Sequence, residues 1–209
     1  METPTRTDPP YVPIRHTPWP VQKTPRWLLL AGLVVLAGAV LVGLAHRPSQ
    51  SQRASDVKTF LADVNTDIES CAGGVRESFT VLRAINAGTS HDTATAIRVA
   101  RYGAANCSPA NNELLANLTQ YQVSESLAAF HLSRAVDGLV TWAFPYAQRV
   151  QNDIANVLSA RDATARAQAN VALKRDTRDL NAQRAKVDKI MMNAVTATAA
   201  HARLPELPG

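Results

Sequence analysis

Two cysteines carry the most constrained chemistry in this 209-residue chain. Cys71 precedes Ala87 by sixteen residues, Cys107 follows His91 by sixteen, and the turn signal Asn86-Ala87-Gly88-Thr89-Ser90 lies between them. If both arms are helical, each covers about 24 Å, and an antiparallel hairpin returns the two sulfurs to one level. The chemistry this predicts is a disulfide. It would close a loop of about 36 residues and contribute roughly 4 kcal/mol through the entropy of the unfolded chain. No CxxC is present, so zinc-ribbon and thioredoxin-type sites have no support. Disulfides persist outside the cytosol, so the bridge argues for an extracytoplasmic domain.

The remaining reactive side chains do not form catalytic patterns. Ser55-Asp56-Val57-Lys58 has the SxxK spacing of penicillin-binding enzymes but lacks their SDN and KTG elements. A helix N-cap accounts for Ser55 better. Asp63 and Asp67 sit one helical turn apart; paired carboxylates can work as acid and base, but solvated helix acids are the plainer reading. His16, His46, His91, His131 and His201 are scattered, with no HExxH and no Glu-x-x-His. His131, between Phe130 and Leu132, reads as a hydrogen-bonded or solvent-edge histidine. GxSxG, P-loop and GxGxxG motifs are absent. No catalytic, cofactor-binding or metal-ligating residue is assigned, and the expectation is a non-enzyme without a cofactor.

Two features look more like binding surfaces. Trp142, Phe144 and Tyr146 cluster around Pro145, where a kinked helix would open an aromatic-lined pocket; a core plug is the plainer alternative. Residues 161–189 hold eight Lys/Arg against four Asp. Of these, Lys174, Arg175, Arg178, Arg184, Lys186 and Lys189 form a basic face that would suit anionic headgroups or wall polymers. An ordinary solvated face competes with that reading.

The elements that must position these groups are helices. Glycines number only nine, and Phe and Tyr together eight, in an alanine-rich chain without strand-like alternation. From an N-cap at Ser55, the apolar positions Val57, Leu61, Val64, Ile68, Cys71, Val75, Ser78, Leu82 and Ile85 follow steps of four and three. That is the seam of a packed helix, and it places Cys71 toward a partner. Gly73-Gly74 within it predicts a kink or a close contact. A shorter helix covers Asp92–Asn106. Ser108-Pro109 reads as the cap and first position of the next helix. That helix carries Leu114, Leu118, Tyr121, Ala128, Leu132, Leu139 and Trp142, and Pro145 should kink or end it. It resumes through Val150, Ile154 and Val157. The last helix runs from about Asp162 to Ala200 with the seam Ala169, Leu173, Asp176, Leu180, Gln183, Val187, Ile190, Ala194 and Ala197. Its polar members, Asp176 and Gln183, would fix register.

Ahead of this domain lies Trp27–Ala45, WLLLAGLVVLAGAVLVGLA, nineteen residues without a charge. As a helix it spans roughly 28 Å, close to a hydrocarbon core. An uncleaved signal-anchor is the preferred reading; a signal peptide cleaved after Gly43-Leu44-Ala45 is the alternative. Trp27 suits the headgroup layer, and Ala39 and Gly43 form a small-xxx-small pair. Arg6, Arg15, Lys23 and Arg26 precede the span, and Arg47, Arg53 and Lys58 follow it, a weak positive-inside bias. Residues 1–26 hold seven of the twelve prolines and read as a disordered tail; Asp8-Pro9-Pro10-Tyr11 could serve a proline-binding module. The net charge of +5 divides as +2 in the tail and +3 beyond it, which is no nucleic-acid signature.

The expected architecture is therefore all-α: a single transmembrane helix followed by an elongated antiparallel bundle of about four helices. The expected divisions are a cytoplasmic proline-rich tail at 1–26, the transmembrane helix at 27–46, a linker at 47–54, the extracytoplasmic bundle at 55–202, and a disordered end at 203–209. The Ala/Arg-rich composition fits a GC-rich bacterial genome. The functional expectation is a membrane-anchored, non-enzymatic protein acting in protein interaction or cell-envelope assembly. It would be an integral membrane protein with a protein partner, open to homo-oligomerisation, and without nucleic acid. The alternative is an extracytoplasmic ligand-sensing bundle with a pocket near Trp142–Tyr146, signalling through a partner.

Overall fold

A computed structural model describes residues 48–208; the apolar segment 27–46, the proline-rich tail and Gly209 lie outside the described residues. The chain divides into two units at Arg47–Pro48. The described residues are all-α, with six α-helices and no strand. Among them no helix is long and apolar enough to cross a membrane.

Helix α1 runs Gln50–Asn86, α2 Thr93–Asn106, α3 Glu113–Thr119, α4 Leu132–Thr141, α5 Gln148–Ser159 and α6 Ala163–Thr198. A 3-10 turn covers Glu125–Phe130 and a wide π-helical segment covers Trp142–Ala147. The main packing pairs are α1 with α2, α2 with α5, α5 with α6, and α6 with α4. The two longest helices have 37 and 36 residues, about 55 Å each at an α-helical rise.

The seam of α1 forms as its spacing predicts: Val57, Leu61, Val64, Ile68, Cys71, Val75, Ser78 and Leu82 are all buried. Its start differs. Ser49, not Ser55, is the N-cap, its hydroxyl accepting from Gln52 N at 3.1 Å. Residues 50–54 of the expected linker thus belong to the first turns of the helix. Asp92 caps α2 through Thr95 N at 2.9 Å, and Asp162 caps α6 through Ala165 N at 2.7 Å.

The middle of the chain departs most from expectation. Ser108-Pro109 sits in a turn, and the next helix starts only at Glu113, capped by Asn112. Asn112 wins because its amide also donates to Ser70 Oγ and to Asn106 O, each at 2.7 Å. The long helix expected over 109–142 breaks into α3, the 3-10 turn and α4, which is why six helices stand where about four were expected. Leu114 points outward, 40% exposed, while Leu115 and Leu127 take the core places assigned to Leu114 and Ala128. Near Pro145 the backbone leaves the helix at Phe144, and the Phe144–Pro145 peptide is cis.

In α6 the seam holds at Leu173, Asp176, Leu180, Val187 and Ala194, then moves: Met191 and Thr198 are buried, while Ile190 is half-buried and Ala197 exposed. Residues 203–208, expected to be disordered, lie along α1. Leu207 is buried, and Arg76 Nη1 donates to Glu206 O at 3.2 Å.

Candidate functional site

The best-defined polar site in the core is built around the bridge. Cys71 on α1 and Cys107 at the end of α2 form a disulfide with Cα atoms 4.7 Å apart, and both residues are fully buried. The helix spacing that predicted this pair also brings Gly74 opposite Gly103. A β-carbon at Gly74 would stand 2.9 Å from Gly103 Cα, so the α1 and α2 backbones touch there. Gly73-Gly74 therefore marks a close contact within a continuous helix.

Helix α5 closes the site with Gln151, which is 0% exposed. Its amide donates to Cys107 Sγ at 3.0 Å and to Ala147 O at 3.3 Å, and its carbonyl accepts from Ser78 Oγ at 3.1 Å. Ser78 sits on the α1 seam, and its single hydroxyl proton is shared between Gln151 Oε1 and Gly74 O, the latter 2.7 Å away. A β-carbon at Gly103 would fall 1.9 Å from Gln151 Oε1, so the amide fills the space that the glycine leaves. Three helices thus meet through one neutral, hydrogen-bonded side chain and one covalent bridge. A buried amide so satisfied fixes helix register. Its groups are a disulfide, an amide and one hydroxyl, and together they hold α1, α2 and α5 in place.

A second polar contact joins α5 to α6. Asp176 is 3% exposed and accepts from Arg175 Nε at 2.8 Å. That hydrogen bond holds its carboxyl below the usual carboxylate range. Asp153 lies beside it. Burial first, then the neighbouring Asp176, push Asp153 up to about 6. As a carboxylate, its buried Oδ2 finds no donor among the described residues; protonated, it donates to Asp176. Arg175 and Arg149 oppose that rise but do not cancel it. The register role expected of Asp176 is shared with Gln183, whose amide donates to Gly138 O of α4 at 3.0 Å.

Asp63 is not a free acid: it accepts from Tyr121 Oη at 3.0 Å. Burial and this carboxylate push the Tyr121 phenol up to about 12. Asp67 is raised by burial and by Asp63. Lys58 and Ser55 lie on the exposed side of α1, and His131 is exposed with φ 56° between the 3-10 turn and α4.

The aromatic trio does not converge. Trp142 is fully buried, Phe144 is 44% exposed, and Tyr146 is half-buried beneath Arg149, whose guanidinium carbon stands 5.0 Å from the ring centre. On the basic face, Lys174, Arg175, Arg178, Lys186 and Lys189 are exposed and Arg184 is half-buried. Arg175 turns to Asp176, and Arg184 pairs with Asp188 at 3.4 Å. Val171 and Met192, 69% and 49% exposed, lie on the same outward side as Lys174, Arg178 and Lys189.

Two grooves flank α1. One, about 460 Å³, lies between α1 and the C-terminal segment, lined by Lys58, Leu61, Arg76, Arg203 and Leu204 among others. The other, about 720 Å³, lies between α1 and α2 on the side of Gly73, Gly103 and Tyr102. None of the aromatic trio lines either. Sequence reading missed Gln151 and Gly103. The step Ala147, Gln151, Ile154, Leu158 carries helical spacing and would have placed Gln151 inward.

Comparison of the chain with protein-family models, curated proteins and solved structures finds no match.

Proposed function

We propose that this chain is a single-pass, membrane-anchored, non-enzymatic protein whose helical bundle acts on the extracytoplasmic side in protein interaction or envelope assembly. The observation that carries the reading is the buried Cys71–Cys107 bridge at the junction of three helices. A disulfide so placed is part of the fold, and such bridges persist outside the cytosol. The nineteen uncharged residues before the bundle supply the anchor, with the proline-rich tail inside. The outward face of α6 adds a surface on which exposed Val171 and Met192 sit among lysines and arginines, a composition suited to anionic partners.

Two experiments on the full chain in its membrane test this. Acid-quenched cells are denatured and alkylated with and without reductant; modification of both cysteines only after reduction is expected. Protease added to spheroplasts should remove the bundle and spare an epitope on the tail. Free cysteines together with a protected bundle would overturn the topology. Partner capture from membranes, with and without residues 55–202, tests the interaction: an unchanged partner set would sink it.

The ligand-sensing reading keeps one supporting observation. The buried indole N–H of Trp142 has no acceptor among the described residues, and a ligand could supply one. A thermal shift by a small molecule, abolished in Trp142→Phe, would establish it; no shift across a broad library would remove it.

A further inference from the structure

The groove between α1 and α2 is floored by glycine for two different reasons. Gly74 and Gly103 are required by the backbone contact and by Gln151. Gly73 is not: a β-carbon there meets nothing nearer than Arg76 Nη2, at 3.9 Å. An interior glycine weakens a helix relative to alanine, and nothing among the described residues repays this one. What Gly73 does is leave a hollow in the floor of the 720 Å³ groove. Beside that hollow, on α2, stands Tyr102, 71% exposed and the most exposed large apolar residue among those described. The walls carry opposite charges, Glu77 on α1 and Arg98 on α2. Neither forms an ion pair among the described residues, and Arg98 donates only to Thr95 Oγ1 of its own helix, at 2.8 Å.

We propose that this groove is the contact surface of a parallel two-fold dimer of the chain, in which Tyr102 of each copy enters the Gly73–Gly74 hollow of the other. Measured along the helices from the disulfide, Glu77 lies about 9 Å up α1 and Arg98 about 13 Å up α2. Gly73 and Gly74 lie about 3 to 5 Å up, and Tyr102 about 7 Å. A two-fold axis parallel to the groove keeps these levels and lays α1 of one copy over α2 of the other. Each Tyr102 then meets a glycine hollow, and each Glu77 meets an Arg98, within one helical turn. An axis across the groove would instead set α1 on α1 and α2 on α2, and Glu77 of one copy would not face Arg98 of the other. The inference rests on the interaction reading above and supplies it with one partner.

The test is the mass and dissociation constant of the full chain in detergent, by light scattering and dilution. A dimer is expected. Tyr102→Ala should raise its dissociation constant at least tenfold. Gly73→Leu should do the same while leaving thermal stability unchanged or higher, since the hollow has room and leucine favours helix. Glu77→Arg and Arg98→Glu should each weaken the dimer, and the double exchange should restore it. A monomeric wild type would overturn the proposal. So would a dimer indifferent to Gly73→Leu and Tyr102→Ala, because the contact would then lie elsewhere, for example at Ala39 and Gly43. A monomer that still captures other partners through the bundle defeats only the self-association; loss of all capture defeats the broader reading.

Discussion

Gln151 and Asp153 stand two residues apart on α5, and the same helix treats them in opposite ways. Gln151 faces α1 and α2, where Cys107 Sγ accepts from its amide and Ser78 Oγ lies against its carbonyl, while Ala147 O of its own preceding turn takes the second N–H. Asp153 faces α6, where another acid, Asp176, outweighs Arg175 and Arg149 in its effect on the carboxyl. Burial of a polar group is inexpensive when its partners are fixed and neutral, and costly when they repel its charged form. The first contact should therefore be stable over a broad pH range. The second should hold best when it keeps a proton.

The comparison breaks most visibly if the bridge is removed. Cys71→Ala with Cys107→Ala should lose about 4 kcal/mol from chain entropy, with a further cavity penalty, measured by urea denaturation. Gly103→Ala should cost about 3 kcal/mol, because its methyl displaces Gln151 from three hydrogen bonds. Gln151→Ala should cost about 2 kcal/mol alone. Combined with Gly103→Ala it should cost clearly less than the sum, since the clash with Gln151 is gone and only the 3.2 Å approach to Gly74 Cα remains; a double-mutant cycle reads the coupling. Additive losses would mean that Gln151 is not what Gly103 accommodates.

Asp153→Asn should give the smallest effect, and of opposite sign. The Asp153 carboxyl is raised in the folded state from an ordinary value near 3.8 to about 6. The folded chain therefore binds the extra proton between these limits, and stability falls as pH rises through that window. Asparagine keeps a neutral donor for Asp176 and escapes that loss. At pH 8 the variant should be more stable by about 1 kcal/mol, discounted for the partial exposure of the site. Below pH 4 the advantage should vanish. Thermal melts of both proteins across that range check the sign, and a constant difference would show that the acid pair is not its source.

How far the fold was legible follows the same division between local and tertiary causes. The α1 seam was readable because eight positions in strict four-three spacing point one way, and the cysteines were readable because helix geometry and one turn set their levels. The start of α1 was misplaced because Ser49 and Ser55 offer the same capping chemistry, and nothing local ranks them. The segment after Cys107 was misread for a tertiary reason. Asn112 reaches back to Ser70, 42 residues away, and that contact decides where the helix begins. The slip from Ala197 to Thr198 reflects a helix of 3.6 residues per turn drifting off a seven-residue pattern over 36 residues. Of the site, the sulfurs were visible and the amide was not, since a lone glutamine among apolar neighbours carries no motif.

The last residues against α1 have a further consequence. They are held by the burial of Leu207, worth about 2 kcal/mol, and by the hydrogen bond from Arg76 to Glu206 O. No helix need melt for them to lift. In native-state hydrogen exchange the segment should open as its own unit, well below the free energy of the bundle. Among the described residues a protease would find its first cut there, and the trimmed bundle would keep its helices while showing a strip of α1 that the intact molecule covers.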